Sequence, residues 1–306
     1  MVKLVRAKEN PILTPSDLSW ENMLVFNPGA VVSKDIVYLL YRAQGKNEPT
    51  SRFGLSTSHD GIHFERRENP IYFAREEKFR KLGVEDPRIV QIDDIFYITF
   101  TIVSENPQGK INPNWPELLN KVAHIAMIST KDFRSFYEHG IILPYIVGKN
   151  ASLFPQKING EYWLLYRKEK SITYFAKSDQ LNSWPQAYPV FDKRAGFWDS
   201  KRTGIGSPPI ETEKGWLLFY HGVDEENIYR LGIMLLDMDD PTKILYRSPE
   251  PIFEPETNYE TFGFVPNVVF TCGAIEKGGV YYVYYGAADR VIGVATVEKK
   301  LVLNLF

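Results

Sequence analysis

The sequence predicts an all-β protein folded as a five-bladed β-propeller, with residues 1–306 in a single domain. A unit of three consecutive strands recurs five times at a spacing of roughly 55–65 residues, and a fixed repeat of this kind is the sequence signature of propellers. Aromatic residues form 14% of the chain, which favours strands packed face to face. Long helical periodicity is absent from the sequence.

The five copies share one order of parts: a short apolar strand, a turn, an aromatic strand and a strand with small residues at alternate positions. The predicted first strands are Pro28–Ser33, Pro87–Ile92, Ser152–Ile158, Pro208–Thr212 and Asn267–Ile275. The predicted second strands are Val37–Arg42, Phe96–Thr101, Tyr162–Arg167, Trp216–His221 and Val280–Gly286. The predicted third strands are Phe53–Ser58, His124–Ser129, Ile172–Ser178, Arg230–Leu236 and Val291–Thr296.

A fourth strand in each blade is predicted from the turns that follow the third strands. Turn residues and an aromatic residue occur together at Ser58–Phe64 and at Ser129–Phe133. Four-stranded blades arranged in a ring leave only short, protected edges. Two stacked sandwiches are the alternative, although they do not require one motif five times. The insertions Arg75–Leu82 and Asn112–Lys121 are expected to hold short helices over one face.

Composition and charge exclude several classes of function. The 36 basic and 38 acidic residues give a net charge of −2, which argues against a nucleic-acid or anionic-membrane surface. The N-terminal segment lacks an apolar run long enough for a signal peptide, and no apolar stretch is long enough for a membrane span. The single cysteine, Cys272, excludes an intramolecular disulfide and is expected to be a core residue. A cytoplasmic protein is therefore expected.

Polar residues stand at strand ends, where a propeller places its pocket. Near the starts of first strands lie Asn27, Glu85, Asp86, Lys149, Asn150 and Asn267; at or just past the ends of second strands lie Arg42, Arg167, His221 and Asp289. Lys201 and Arg202 lie in the loop before the fourth blade. The segment Gly83–Arg88 places two carboxylates and an arginine together, so Asp86 is the predicted catalytic residue, supported by Glu85 and Arg88.

The balance of charges in this pocket predicts a reaction with an anion. Most glycosidases use two carboxyl groups, whereas this pocket is expected to hold one or two carboxylates against three to five cationic or tautomeric groups. Inorganic phosphate fits as the second reactant, because Arg, Lys and His donate to its oxygens. The motifs of phosphate loops, zinc proteases and serine hydrolases are absent. Neither a metal nor a cofactor is expected.

The chain resembles glycoside hydrolase family 130, the β-mannoside phosphorylases and related β-mannosidases, over nearly its whole length. The motifs that carry the resemblance are Val25–Ala30, Tyr41-Arg42, Gly83–Arg88, Lys149-Asn150 with Leu153–Pro155, Trp198–Lys201, Pro208–Ile210, Tyr220–Val223, Tyr229–Gly232 and Tyr285–Asp289. The resemblance implies a five-bladed propeller and inversion, in which phosphate attacks C1 of a β-mannoside and gives α-mannose 1-phosphate. It also implies small-molecule substrates and a homo-oligomer.

The resemblance also implies roles for individual residues. Asp86 matches the general acid, which acts through the 3-hydroxyl of the sugar. Asn27, Arg42 and Asp289 match positions that hold the mannosyl ring or the reacting groups. The predicted phosphate-binding residues are Lys149, Asn150, Arg167, Lys201, His221 and Tyr229.

The chain departs from the family pattern at two places, and two other functions are alternatives to phosphorolysis. Lys149 stands where many members carry Arg, and the strand after Asp86 lacks an expected Ala-Tyr pair near the acceptor sugar. The rivals are a hydrolytic β-mannosidase on the same fold and a non-catalytic carbohydrate-binding propeller. The sequence leaves the leaving sugar and its linkage open.

Overall fold

The computed structural model describes residues 2–106, 120–168 and 171–306. The described strands are β1 Val5–Arg6, β2 Leu24–Ser33, β3 Ile36–Gln44, β4 Arg52–Ser58, β5 Glu65–Arg66, β6 Val84–Ile92, β7 Ile95–Glu105, β8 Lys121–Thr130, β9 Tyr137–Ile141, β10 Lys149–Leu153, β11 Tyr162–Arg167, β12 Thr173–Ser178, β13 Gln186–Phe191, β14 Arg202–Ile205, β15 Ile210–Thr212, β16 Gly215–Val223, β17 Tyr229–Leu236, β18 Ile244–Arg247, β19 Val269–Lys277, β20 Val280–Ala287 and β21 Val291–Glu298. The described helices are α1 Glu77–Arg80, α2 Asn258–Thr261 and α3 Lys299–Leu303.

The strands form five separate antiparallel sheets, which confirms the predicted five-bladed β-propeller. The blades, from the innermost strand outward, are β2-β3-β4-β5, β6-β7-β8-β9, β10-β11-β12-β13, β14-β16-β17-β18 with β15 beside β16, and β19-β20-β21-β1. Each blade therefore begins at the central channel and ends at the periphery. The connection between blades returns the chain to the end of the channel where the next innermost strand begins.

The fifth blade is closed by the start of the chain. Strand β1 pairs with β21, with Val5 opposite Thr296 and Arg6 opposite Ala295. The guanidinium of Arg6 also donates from Nε and Nη2 to the two carboxylate oxygens of the fully buried Glu260, at 2.9 Å and 2.8 Å. These contacts tie the two ends of the chain together and close the ring.

Aromatic side chains fill the space between neighbouring blades, as the high aromatic content predicts. Tyr38 of the first blade lies 5.8 Å from Phe96 of the second blade and stacks on Phe133 at 4.9 Å, measured between ring centroids. Phe154, just beyond β10, meets Trp216 of the fourth blade edge-on at 5.1 Å. Wide flat rings bury large apolar areas and fix the angle between two sheets.

The first strands differ from the predicted ranges in one informative way. In the first three blades they begin earlier than predicted, so that the polar residues preceding Pro28, Pro87 and Ser152 lie inside the strands. In the fourth blade the predicted strand Pro208–Thr212 is reduced to β15, and the innermost strand is β14, which lies in the predicted loop before it. Prolines 208 and 209 fall between β14 and β15, where a residue without an N–H cannot donate to the ladder.

The predicted insertions have different outcomes. Helix α1 lies inside Arg75–Leu82, as expected. Of the second insertion, Lys121 opens β8, and residues 112–119 lie outside the described residues. No helix in the described part of the chain has the length and apolar character needed to cross a membrane.

Candidate active site

A cavity of about 220 Å³ opens at the end of the channel where the innermost strands begin. Its lining is mostly polar and draws on all five blades. The residues are Asn27, Arg42, Glu85, Asp86, Lys149, Asn150, Arg167, Arg202, His221, Tyr229, Val265, Val268, Phe270 and Asp289. Ten of these fourteen residues were predicted from the sequence, so the fold brings most of the candidate residues into one place.

A repeated backbone feature aims three of the polar side chains into the cavity. Asn27, Asp86 and Asn150 have positive φ angles of 48°, 54° and 56°. Each lies where the register between the first and second strand of its blade shifts by a β-bulge. A bulge redirects a side chain and is enriched next to active sites, and Asn and Asp tolerate this left-handed conformation better than most residues.

Asp86 lies in the cavity and contacts two residues of the first blade. The Asn27 Nδ2 donates to its Oδ1 at 2.9 Å, and the Arg42 Nη1 lies 3.6 Å from the same oxygen. The residue is 7% exposed, so its carboxyl group is nearly enclosed before any substrate arrives. An ordered carboxyl group beside an amide and a guanidinium is well placed to bind and protonate a sugar oxygen.

Glu85 forms ion pairs with two cationic residues from the neighbouring blades. Arg42 Nη2 donates to its Oε1 and Lys149 Nζ donates to its Oε2, both at 2.8 Å. Burial opposes ionisation, but Arg42 and Lys149 outweigh it and lower the pKa of Glu85 to about 2. Glu85 therefore stays ionised and orients the two cations, in agreement with the supporting role predicted for it.

Asp289 is the third carboxyl group of the cavity. It lies in the turn between β20 and β21, with φ of 51°. Burial, followed by the negative charges of Asp86 and Glu85, raises the pKa of Asp289 to about 7, although Arg42 and Lys149 oppose the shift. Three carboxyl groups thus line the cavity, where the sequence predicted one or two.

The raised pKa of Asp289 predicts a pH-dependent cost to folding. The unfolded state releases this proton near pH 4 and the folded state near pH 7, so the free energy of unfolding falls as pH rises through this interval. Asp289→Asn removes the cost and should raise the free energy of unfolding by about 2–4 kcal/mol at pH 8, with little change at pH 4. Urea titrations at both pH values measure the difference. Equal stabilisation at pH 4 and pH 8 would contradict the assignment.

The third and fourth blades contribute cations and neutral donors to the cavity lining, and this part of the lining is called the cationic side. Arg167 lies at the end of β11 and Arg202 at the start of β14. The Arg202 guanidinium donates to the Tyr229 hydroxyl and lies 5.3 Å from the centre of its ring. Asn150 and Lys149, at the start of β10, also line the cavity.

His221 is a neutral donor or acceptor on this cationic side. Burial and the nearby charges of Arg167, Arg88 and Arg202 lower its pKa well below the ordinary value. The ring is 1% exposed, and its Nδ1 has no hydrogen-bond partner among the described residues. Gly204 gives the ring its space, because a Cβ there would lie 2.5 Å from Cε1 of His221 and 2.7 Å from Nδ2 of Asn150.

Two predicted site residues do not line the cavity. Lys201 is exposed, and its Nζ donates to the Oδ1 of Asn227 at 2.6 Å. Arg88 is 1% exposed and donates to three backbone carbonyls: those of Asp86 at 3.1 Å, Ile205 at 2.8 Å and Gly206 at 2.7 Å. Arg88 therefore ties the bulge at Asp86 to the fourth blade, because its guanidinium faces protein carbonyls and not the cavity.

Sequence reasoning did not select four lining residues: Arg202, Val265, Val268 and Phe270. Arg202 is adjacent to the predicted Lys201, and alternation along β14 places it on the same side as Gly204, opposite His221. The two valines and Phe270 carry no polar signal. Phe270 packs against the His221 ring with 4.7 Å between ring centroids.

The chain is a five-bladed β-propeller with a charged, polar cavity at one end of its channel, and comparison with known proteins identifies its family. The model for glycoside hydrolase family 130, described as beta-1,4-mannooligosaccharide phosphorylase, matches residues 6–306. The chain belongs to this family, as the sequence predicted.

Named relatives of the chain are phosphorylases. A 1,2-beta-oligomannan phosphorylase of Thermoanaerobacter sp. strain X514 is 40% identical over 98% of this chain and 99% of its own length. A beta-1,2-mannobiose phosphorylase of the same strain is 40% identical over 99% of both chains. The solved beta-1,2-mannobiose phosphorylase of Listeria innocua, in complex with beta-1,2-mannobiose, is 30% identical and superposes with a TM-score of 0.86 over 98% of both chains.

Proposed function

We propose that this protein is an inverting β-mannoside phosphorylase that cleaves a β-mannosyl disaccharide or oligosaccharide with inorganic phosphate and releases α-mannose 1-phosphate. The observation that carries the proposal is the grouping of charges in one cavity. Glu85, Asp86 and Asp289 lie with Arg42 and Lys149 on the carboxylate side. Arg167 and Arg202 lie with His221 on the cationic side. The family and its phosphorylase relatives support the same reaction class.

The cationic side is the proposed phosphate site. Arg167 and Arg202 supply guanidinium groups, whose paired N–H donors match the geometry of phosphate oxygens. The neutral groups of Asn150, His221 and Tyr229 add hydrogen bonds without adding charge. Because His221 is neutral, the negative charge of the bound phosphate would be balanced by Arg167 and Arg202.

The carboxylate side is the proposed site of the mannosyl ring. Asn27, Arg42 and Asp289 hold its hydroxyl groups, and Asp86 is the general acid. A phosphate oxygen attacks C1 from the face opposite the leaving oxygen, so the new C1–O bond forms with inversion as the glycosidic bond breaks. The leaving oxygen receives a proton, which Asp86 supplies through the 3-hydroxyl of the sugar.

The relatives guide the choice of substrate. Both relatives with 40% identity carry names that specify β-1,2 linkages, whereas the family model is described by a β-1,4 activity. We therefore propose a β-1,2-linked mannoside as the substrate and expect its turnover to exceed that of the β-1,4-linked isomer.

Phosphate dependence tests the reaction. We expect cleavage of β-1,2-mannobiose to require phosphate and to yield α-mannose 1-phosphate, because Arg167 and Arg202 line the cavity and can hold the anion. The measurement is product analysis in buffers with and without phosphate. Equal turnover without phosphate would identify a hydrolase, with Asp289 as the base for water. No cleavage in either buffer, with binding of mannosides retained, would identify a non-catalytic propeller.

A further inference from the structure

Two exposed phenylalanines lie in the connection that carries part of the cavity lining and have no part in the proposed mechanism. Phe262 is 72% exposed and Phe264 is 64% exposed. They belong to the connection from β18 to β19, which reaches the end of the channel where the cavity opens. Val265 and Val268 of the same connection line the cavity, so the two phenylalanines directly precede part of its lining in the chain.

The connection that carries the two rings is held firmly. At the start of helix α2 the Glu260 carboxylate accepts hydrogen bonds from the backbone N–H groups of Glu256 and Thr257 at 2.8 Å and 3.0 Å. The backbone N–H of Val268 donates to the Glu260 carbonyl at 3.1 Å, and that of Val265 donates to the Ala288 carbonyl, also at 3.1 Å. Glu260 is in turn fixed by Arg6 of β1.

Close packing fixes the segment between the two rings as well. A Cβ on Gly263 would lie 2.5 Å from the Ala288 carbonyl oxygen and 2.6 Å from the Ala288 Cβ, so the backbone rests directly on the turn that carries Asp289. Large apolar side chains displayed on a rigid loop beside a pocket are typical of ligand-binding surfaces.

The size of the cavity indicates what covers these rings. Pockets that enclose whole ligands usually measure about 300–1,000 Å³, and this cavity measures about 220 Å³. In the proposed reaction a mannosyl ring and a phosphate ion fill this volume, so the remaining sugar rings of a mannoside would lie outside the cavity. Sugar rings have apolar C–H faces that pack on flat aromatic surfaces.

We propose that Phe262 and Phe264 form a stacking surface for the leaving sugar and for any further sugar rings attached to it. This assignment rests on the proposed function and adds the residues that bind the acceptor in the reverse reaction. It also provides a different source of acceptor binding in a chain that lacks the Ala-Tyr pair expected after Asp86.

The reverse reaction tests the assignment, with α-mannose 1-phosphate as donor, mannose or β-1,2-mannobiose as acceptor, and phosphate release as readout. We expect the double variant Phe262→Ala/Phe264→Ala to raise the acceptor KM about tenfold or more and to leave the KM for α-mannose 1-phosphate within about twofold. Phe262→Trp/Phe264→Trp should retain acceptor binding, because it preserves flat aromatic surfaces.

A matched control comes from Tyr137, which is 68% exposed and lies on β9 at the outer edge of the second blade. Tyr137→Ala should leave both KM values unchanged. An unchanged acceptor KM in the double alanine variant overturns the assignment, and a lower oligomer mass with both KM values unchanged shows that the rings contact a second copy of the chain. Wild-type protein without phosphate-dependent turnover refutes the proposed function itself, so the two failures are distinguishable.

Discussion

Asp86→Asn should reduce phosphorolysis by about 10²–10⁴-fold, because an amide cannot supply the proton that the leaving oxygen needs. The substitution preserves the shape of the side chain, and Asn tolerates the left-handed backbone at this position as Asp does. We expect a smaller loss with an aryl β-mannoside whose phenol is acidic, since such a leaving group needs less protonation. Steady-state kinetics on both substrates measure the difference.

A control for this substitution lies in the same blade. Asp93 also has a positive φ, 55°, but it is exposed in the turn between β6 and β7, away from the cavity. Asp93→Asn should retain full activity, and the thermal unfolding of both variants should match that of the wild type. A loss below about tenfold in Asp86→Asn would point to another acid, and Asp289 would be the first to examine.

Arg202→Ala should raise the apparent KM for phosphate about 10- to 150-fold, because a hydrogen bond to a charged group contributes roughly 1.5–3 kcal/mol. Some loss of kcat is expected too, since a cation that positions the nucleophile also acts in the transition state. The measurement varies phosphate at saturating mannoside. The KM for the mannoside should change little.

The neighbouring residue supplies a matched control. Lys201 carries the same charge one position earlier, but its ammonium group is exposed and bonded to Asn227. Lys201→Ala should leave the phosphate KM unchanged, which departs from the phosphate-binding role inferred for it from the sequence. A large rise in Lys201→Ala together with an unchanged value in Arg202→Ala would reverse the assignment of the two residues.

Much of the site could be predicted from the sequence because its residues occur at comparable places in successive repeats. Asn27, Asp86 and Asn150 each stand just before the apolar part of a first strand, and the repeat alone indicates that such positions share one end of the channel. Arg42 and Arg167 were found in the same way, at the ends of second strands. The repeat predicts at which end of the central channel a residue lies, and the pocket lies at that end.

The repeat does not predict the orientation of individual side chains. Arg88 follows Asp86 closely, yet the bulge shifts the alternation of the strand and turns its guanidinium toward the carbonyls of Ile205 and Gly206. Those carbonyls belong to another blade, more than a hundred positions away. A local pattern contains no information about which distant carbonyls a buried arginine meets.

The sequence by itself determined the five-bladed fold, the family and most of the residues that surround the cavity, because repetition and residue type are properties of the chain order. Only the tertiary structure decided that β1 completes the fifth blade, that Arg202 and not Lys201 lines the cavity, and that Arg88 binds backbone carbonyls of the fourth blade. Strand register, β-bulges and the closure of the ring decide these facts. Each of them depends on contacts between segments far apart in the chain, where the energy of packing and pairing selects one arrangement.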